Sequence, residues 1–322
     1  MMDIEWWRNL IAADIYATLK QKEQELPVFH SQGFQLSART YLVDWLSLVV
    51  EQLQLSSLTL HLAIFLLDFY MDSVDTDRYK LYLLAMTCLR VACKFEEHID
   101  KLPRPSVLNS LLPKTVGISL GYDGYLLPDF LDMELSVLRF HNWRISAPTT
   151  AHFLPYFLTI AADEGDLHNG VPIVSKTVVL PYLEKHAKYF SEISLQDHTF
   201  RDYPPSLTAA ACIAASRICL HLTPTWPKHM MLLTDYYLEE LLPCMQLMLR
   251  YHQRDEANQA MTATAVVTPV VEYVAPTIST TYYNPHVIHP HPHPHPHWVA
   301  YNHHLHHVTT AHIHPLGQLA LS

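Results

Sequence analysis

Tyr79-Lys-Leu-Tyr-Leu-Leu-Ala-Met-Thr-Cys-Leu-Arg-Val-Ala-Cys-Lys-Phe95 is apolar on nearly every side when wound as a helix. A helix without a polar face must be surrounded by other helices. Ala85, Cys88 and Ala92 recur along it and let those neighbours approach closely. On the N-terminal side, Leu58 to Met71 follows Ser56 and Ser57 and is again apolar nearly all round. Before that, Leu42, Trp45, Leu46, Val49, Val50 and Leu53 fall at helical spacing after Ser37, a candidate cap. On the C-terminal side, a short helix fits Pro105 to Leu111 and a strong one Phe130 to Phe140.

A second set follows the first. Pro148 and Thr149 open a helix through Phe153, Tyr156, Phe157 and Ile160. Pro172 is placed to start another, to about Ile193, with Pro181 as a kink. Ser206 to Leu220 is small and apolar all round; a short helix near His229 and one from Tyr237 to Arg250 complete the set. Leu89-Arg-Val-Ala-Cys-Lys94 resembles Cys212-Ile-Ala-Ala-Ser-Arg217, which suggests tandem domains of five helices each. Strand signals are nearly absent, so the expected class is all-α. The expected division is an N-terminal helix and linker (1–36), a first domain (37–145), a second (146–254) and a tail (255–322).

The tail has no Lys or Arg and holds 12 of the 23 His, with His289-Pro-His-Pro-His-Pro-His-Pro-His297 at its centre. Alternating Pro forbids helix and central strand, so disorder or extended polyproline-II is expected there, and Thr262 to Tyr283 reads as unstructured.

Composition excludes several classes of function. The 322 residues carry a formal charge of −10, and the body has 21 basic against 28 acidic residues without a basic run. Clustered Lys and Arg are what phosphate neutralisation needs, so direct nucleic-acid binding is not expected. Seven Gly form no phosphate loop, and five Cys show no C-x-x-C, so neither a zinc module nor a disulfide framework is supported. No catalytic signature is found, and no cofactor or metal is expected. Cys88, Cys93, Cys212 and Cys219 read as small core residues, and His61 and His152 as satisfied core histidines. Trp6-Trp7 opens an amphipathic segment expected to pack on the body. The longest apolar run, Leu58 to Met71, contains His61 and Asp68 and is too short for a bilayer. The start of the chain lacks the plain apolar core of a secretory signal. A soluble, intracellular protein in a reducing compartment is expected.

Ala38-Arg-Thr-Tyr-Leu-Val-Asp-Trp45, Leu60-His-Leu-Ala-Ile-Phe-Leu-Leu-Asp-Phe69, Leu89-Arg-Val-Ala-Cys-Lys-Phe-Glu-Glu97, Met133-Glu134 and Ser146-Ala-Pro-Thr149 stand in one order and spacing. Together they resemble the cyclin family, over roughly residues 5 to 250, and so imply two tandem cyclin boxes. Trp6-Trp7, Ser194-Leu-Gln-Asp197 and Pro224-Thr-Trp-Pro227 resemble one branch of that family in particular.

The resemblance implies a regulatory subunit, not an enzyme, that binds and allosterically activates a cyclin-dependent serine/threonine kinase in cell-cycle control. Its location would be the nucleus, with the cytoplasm as a second compartment; its further partners would be the kinase's substrates or inhibitors, with no membrane. Lys94 and Glu134 match the family's interface Lys and Glu, and Phe95, Leu138 and Trp143 fall where the apolar kinase contact lies. Arg39 and Asp44 match a structural Arg and Asp expected to form a buried pair. The substrate-docking patch keeps Leu42, Trp45 and Leu81 but departs from the pattern at Ala38, Tyr41, Leu48 and Tyr82. Leu48 removes the acid that would receive an incoming basic residue. A cyclin-fold transcription adaptor without kinase activation is the alternative. A third reading gives the function to the His-rich tail, as a metal or assembly segment.

Overall fold

A computed structural model of the chain describes residues 10–114, 116 and 124–265, with side chains described to residue 257. Trp6-Trp7 and the repeat from His289 to His297 lie outside the described residues. Among the described residues, helix α1 (Ala12–Gln24) precedes α2 (Arg39–Gln52), α3 (Ser57–Ser73), α4 (Leu81–Glu96), α5 (Pro105–Ser110) and α6 (Leu127–Phe140). They are followed by α7 (Thr150–Leu158), α8 (Lys176–Gln196), α9 (Pro205–Cys219), α10 (Lys228–Thr234) and α11 (Leu238–Ala265). Residues 1–251 form one compact unit. The second unit, 252–322, is described only along the end of α11, where His252 Nε2 faces Glu256 Oε1 at 3.4 Å.

Helices α3 and α4 form the centre of the first set, as their all-round apolarity requires. From Thr59 to Met71 every residue of α3 is buried, and α4 is buried at every position from Leu83 to Leu89. Ser56 caps α3 by accepting from the Thr59 N–H at 3.3 Å. In the second set α9 has the same place: Thr208 to Arg217 is buried without a break, and the helix packs on α7 and α8. The sets meet where α3 packs on α7 and α2 on α8.

Helix α1 docks on the second set. Tyr16 stacks against Phe153, Tyr156 and Phe157 at centroid distances of 6.1, 5.1 and 5.8 Å. Glu23 accepts from the Ser206 N–H and hydroxyl at 2.6 and 2.7 Å, which satisfies a backbone donor at the α9 N-terminus.

Three expectations need correction. Ser37 does not cap α2; it lies in a 3-10 turn, Phe34–Ala38, and its hydroxyl donates to the Phe34 carbonyl. Pro172 does not start a helix. It lies in a hairpin of β1 (Leu167–His168) and β2 (Val171–Pro172), and α8 begins instead after Ser175, whose hydroxyl accepts from the Thr177 N–H. Asn169 and Gly170 turn the hairpin with φ of 52° and 78°, a conformation open to Asn and Gly, and β3 (Leu222–Thr223) pairs with β1 on its other side. Finally, α11 runs on to Ala265, past the expected end at Arg250 and into the stretch read as unstructured. Glu256, Ala257, Gln259, Ala260 and Met261 are good helix formers, so the helix has local reason to continue.

Candidate functional site

Helix α4 surfaces only in its last turn. After buried Val91, Ala92 and Cys93 come Lys94 and Phe95, both exposed. Lys94 lies at the helix C-terminus, where a cation is favoured by the macrodipole. Its ammonium donates to Glu134 Oε1 on the neighbouring helix α6, with the side chains 38% and 17% exposed. The pair is thus open on one side, and the ammonium keeps donor capacity beyond Glu134.

The next residues hold this turn in place. Glu97 accepts from the Thr59 hydroxyl at 2.8 Å and from the Ser56 N–H, tying the end of α4 to the start of α3. Burial would raise the Glu97 carboxyl, but hydrogen bonds from Ser56, Thr59 and Lys101 outweigh it and lower the pKa. Glu96 Oε1 lies 3.2 Å from His152 Nε2, whose Nδ1 accepts from the Thr149 N–H. Glu96, Glu97 and His152 line a cavity of about 1180 Å³ beside Phe95, bounded also by α1, α3 and α8. His61 opens on it too, within 3.1 Å of the Ser191 hydroxyl, with its pKa lowered by burial to about 3. Both histidines are therefore buried and hydrogen-bonded.

Apolar groups neighbour the ion pair along the two helices: Phe95 follows Lys94, Leu138 comes one turn after Glu134, and Trp143 lies just past the end of α6. Phe95 is 45% exposed and Trp143 is 64% exposed, while Leu138 is partly buried against the core. Trp143 closes the end of α6: its N–H donates to the Leu138 carbonyl at 2.8 Å, with φ of 63°. A left-handed conformation is unfavourable for a bulky residue. Here a strained backbone holds an indole that the protein's own core does not bury.

The expected pair of Arg39 with Asp44 does not form. Residues five apart on one helix point to different faces, since only neighbours three or four apart meet. Arg39 reaches instead to Asp68 on α3, Nε to Oδ1 at 2.6 Å and Nη2 to Oδ2 at 3.0 Å. Its Nη1 donates to the Gln196 carbonyl at 3.0 Å, and Arg201 Nε donates to Asp68 Oδ2 at 2.8 Å. One buried carboxylate therefore clasps both helical sets. Burial works to raise its pKa, but the two guanidinium charges and their hydrogen bonds outweigh that and lower it. Asp68 and Arg201 were not expected in this role, because positions 133 residues apart leave no periodic signal.

Leu42, Trp45 and Leu81 are brought together, but as core: they are 1%, 6% and 7% exposed. Trp45 Nε1 donates to the Leu111 carbonyl at 2.8 Å, and its ring meets Tyr82 edge-on. Tyr41 and Leu48 are the exposed groups on that side of α2. All five cysteines are unbridged; burial pushes the Cys93 and Cys244 thiols up to about 12. Among the described residues, no cluster of His, Cys, Asp or Glu suits a metal ion, and no helix is long and apolar enough to cross a membrane.

Family models described as "Cyclin, N-terminal domain" and "Cyclin, C-terminal domain" match residues 14–146 and 148–268. The chain is 41% identical over 257 residues to cyclin J of Xenopus laevis, covering 79% of this chain and 66% of that protein. To cyclin J of Homo sapiens it is 40% identical over 258 residues, covering 79% and 65%. To a cyclin-J-like protein of Mus musculus it is 36% identical over 250 residues, covering 77% and 64%. The chain thus spans just under two thirds of the length of these relatives. The X-ray structure of a viral cyclin from herpesvirus saimiri shares the fold, with a TM-score of 0.56 at 17% identity over 73% of this chain and 94% of the viral one.

Proposed function

The chain belongs to the cyclin family, and on that premise we propose that it is a regulatory subunit that binds and allosterically activates a cyclin-dependent serine/threonine kinase in cell-cycle control. The observation that carries the reading is the half-open Lys94–Glu134 pair with exposed Phe95 beside it, together with the exposed Trp143 that ends α6 in a left-handed conformation. A subunit of this kind contributes no reacting group. It acts by contacting one kinase conformation better than another, and so shifts the population toward that state. Lys94 offers ammonium donors and Glu134 carboxylate oxygens, which suit the unpaired carbonyls and N–H groups at the ends of a partner helix. Phe95, Leu138 and Trp143 supply the area that excludes water from those contacts.

The test is affinity capture with kinase identification, followed by a kinase assay on purified components. Replacing Lys94 and Glu134 together with Ala removes both members of the pair, so no charge is stranded and the fold should hold. The expected result is a folded protein that neither binds nor activates the kinase. A folded double variant with full activation would show that the interface is elsewhere; a wild-type protein that captures no kinase would point to the adaptor reading.

A further inference from the structure

Helix α6 is apolar over more of its circumference than its own domain uses. At about 100° per residue, its positions sort into three arcs. Phe130 and Val137 are buried, with Met133 and Phe140 partly so, and this arc faces the core. Asp129, Asp132, Ser136 and Arg139 make a polar arc open to solvent. The third arc holds Leu127, Leu131 and Leu135, which are 56%, 56% and 36% exposed, and ends at Leu138. A helix serving a core needs an apolar stripe of roughly 100°. In α6 the core arc and the leucine arc together cover roughly twice that.

We propose that the Leu127–Leu131–Leu135 ridge is a specificity element that selects kinases presenting an aliphatic helical face opposite α6. The inference rests on the kinase-binding reading and adds to it three residues outside the expected contact set. Two observations fix the occupant. The ridge is continuous with the proposed contact through Leu138, which lies on the same arc. Its flanking charges also cancel: Glu134, at its inner edge, is paired with Lys94, and Asp132 and Arg139, of opposite sign, flank its outer edge beside Leu135. A partner face of one charge would be desolvated there without a net counter-charge, which is costly; an aliphatic face would not be. From Leu127 to Leu138 the ridge is roughly 16 Å long at 1.5 Å per residue, the length of a three-turn helix. The ridge discriminates as hydrophobic surfaces do, by rejecting polar groups rather than by attracting charges.

The experiment measures dissociation constants of the full chain for a panel of purified cyclin-dependent kinases. Leu131→Lys and Leu127→Lys are compared with Leu131→Met and with Lys94→Ala/Glu134→Ala. Lys and Met are good helix formers at these exposed positions, so α6 should persist, which circular dichroism checks. The expected result is a loss of about tenfold or more for each Lys variant with the best partner, near-wild-type binding for Leu131→Met, and a changed order of affinities across the panel. Lys variants that bind normally, while the double Ala variant does not, would overturn the ridge and leave the kinase reading standing. An equal loss for every kinase would make the ridge a contact but not a selector, which also overturns the proposal. Normal binding by the double Ala variant would remove the kinase reading at this surface, and the ridge with it.

Discussion

Replacing Asp68 with Asn should cost this protein more stability than any change on its surface. Asn keeps the size of Asp68 and removes its charge. In the wild type the carboxylate is fully buried and accepts from Arg39 Nε and Nη2 and from Arg201 Nε. After the change, Arg39, itself 2% exposed, and Arg201 would face each other with no anion between them. Breaking a buried ion pair costs about 3–5 kcal/mol, and with two cations stranded the upper part of that range is expected. For a unit of this size each kcal/mol shifts Tm by about 2–4 °C, so a fall of about 8–20 °C should be seen. Thermal and urea unfolding followed by circular dichroism measure it. The pH dependence has a definite sign. The folded pKa of Asp68 is lowered, so its contribution is present above the unfolded carboxyl value of about 3.9 and is lost as pH falls through the folded value. The gap between wild type and variant should therefore stay constant from neutral pH to about pH 4 and narrow only below it. Asp44→Asn should cost less, because Arg39 uses all three of its nitrogens on Asp68 and Gln196. A variant at Asp68 melting within about 2 °C of wild type, or a gap that closes between pH 5 and 7, would refute the clasp.

Trp143→Gly should leave the free protein as stable or raise its stability by up to about 1 kcal/mol, since Gly adopts the left-handed conformation without a clash, yet weaken kinase binding at least tenfold. A lower Tm with unchanged binding would mean that the indole serves the fold. Basic R-x-L peptides should bind weakly, because Leu42, Trp45 and Leu81 are buried and Leu48 supplies no acid. Leu48→Glu restores a charge-assisted contact but not the apolar floor, so peptide titration should show a gain of about tenfold at most; tight binding by the wild type would refute this.

What the sequence made legible follows physical rules. Helices α3, α4 and α9 are apolar on all sides, and nothing but a layer of surrounding helices satisfies such segments, so the class and the two centres could be read at once. The hairpin was missed because its strands are two residues long and carry no alternation; Asn169-Gly170 was the available signal. The clasp was misassigned because Arg39 and Asp44 share a helix while the true partner lies 29 positions away. Lys94 and Glu134, 40 residues apart, were paired by family resemblance, since no period joins two helices. Leu127, Leu131 and Leu135 repeat every four residues, a spacing that a core-facing stripe shows equally well. Only the burial of Phe130 and Val137 on a different arc shows that this ridge is surplus.

The two central helices end differently, and the proposed docking surface of the first set depends on that difference. The internal repeat puts Lys94 and Arg217 at one position. Arg217 is fully buried, and its guanidinium donates to both Asp166 oxygens, at 2.9 and 2.6 Å, and to the carbonyls of Ala161 and Pro224. Asp166 immediately precedes β1, and β3 lies between Arg217 and Pro224, so the small sheet of the second set is the device that satisfies this buried cation. A cation so enclosed has no donor left for a partner. In the first set the helix ends in solvent, its cation meets one carboxylate, and the apolar residues beside it stay uncovered. The same position thus holds a structural lock in one half and an open contact in the other. Replacing Lys94 with a fully enclosed Arg would require a carboxylate and two carbonyls to be brought to it, and would remove the donors that the proposed interface needs.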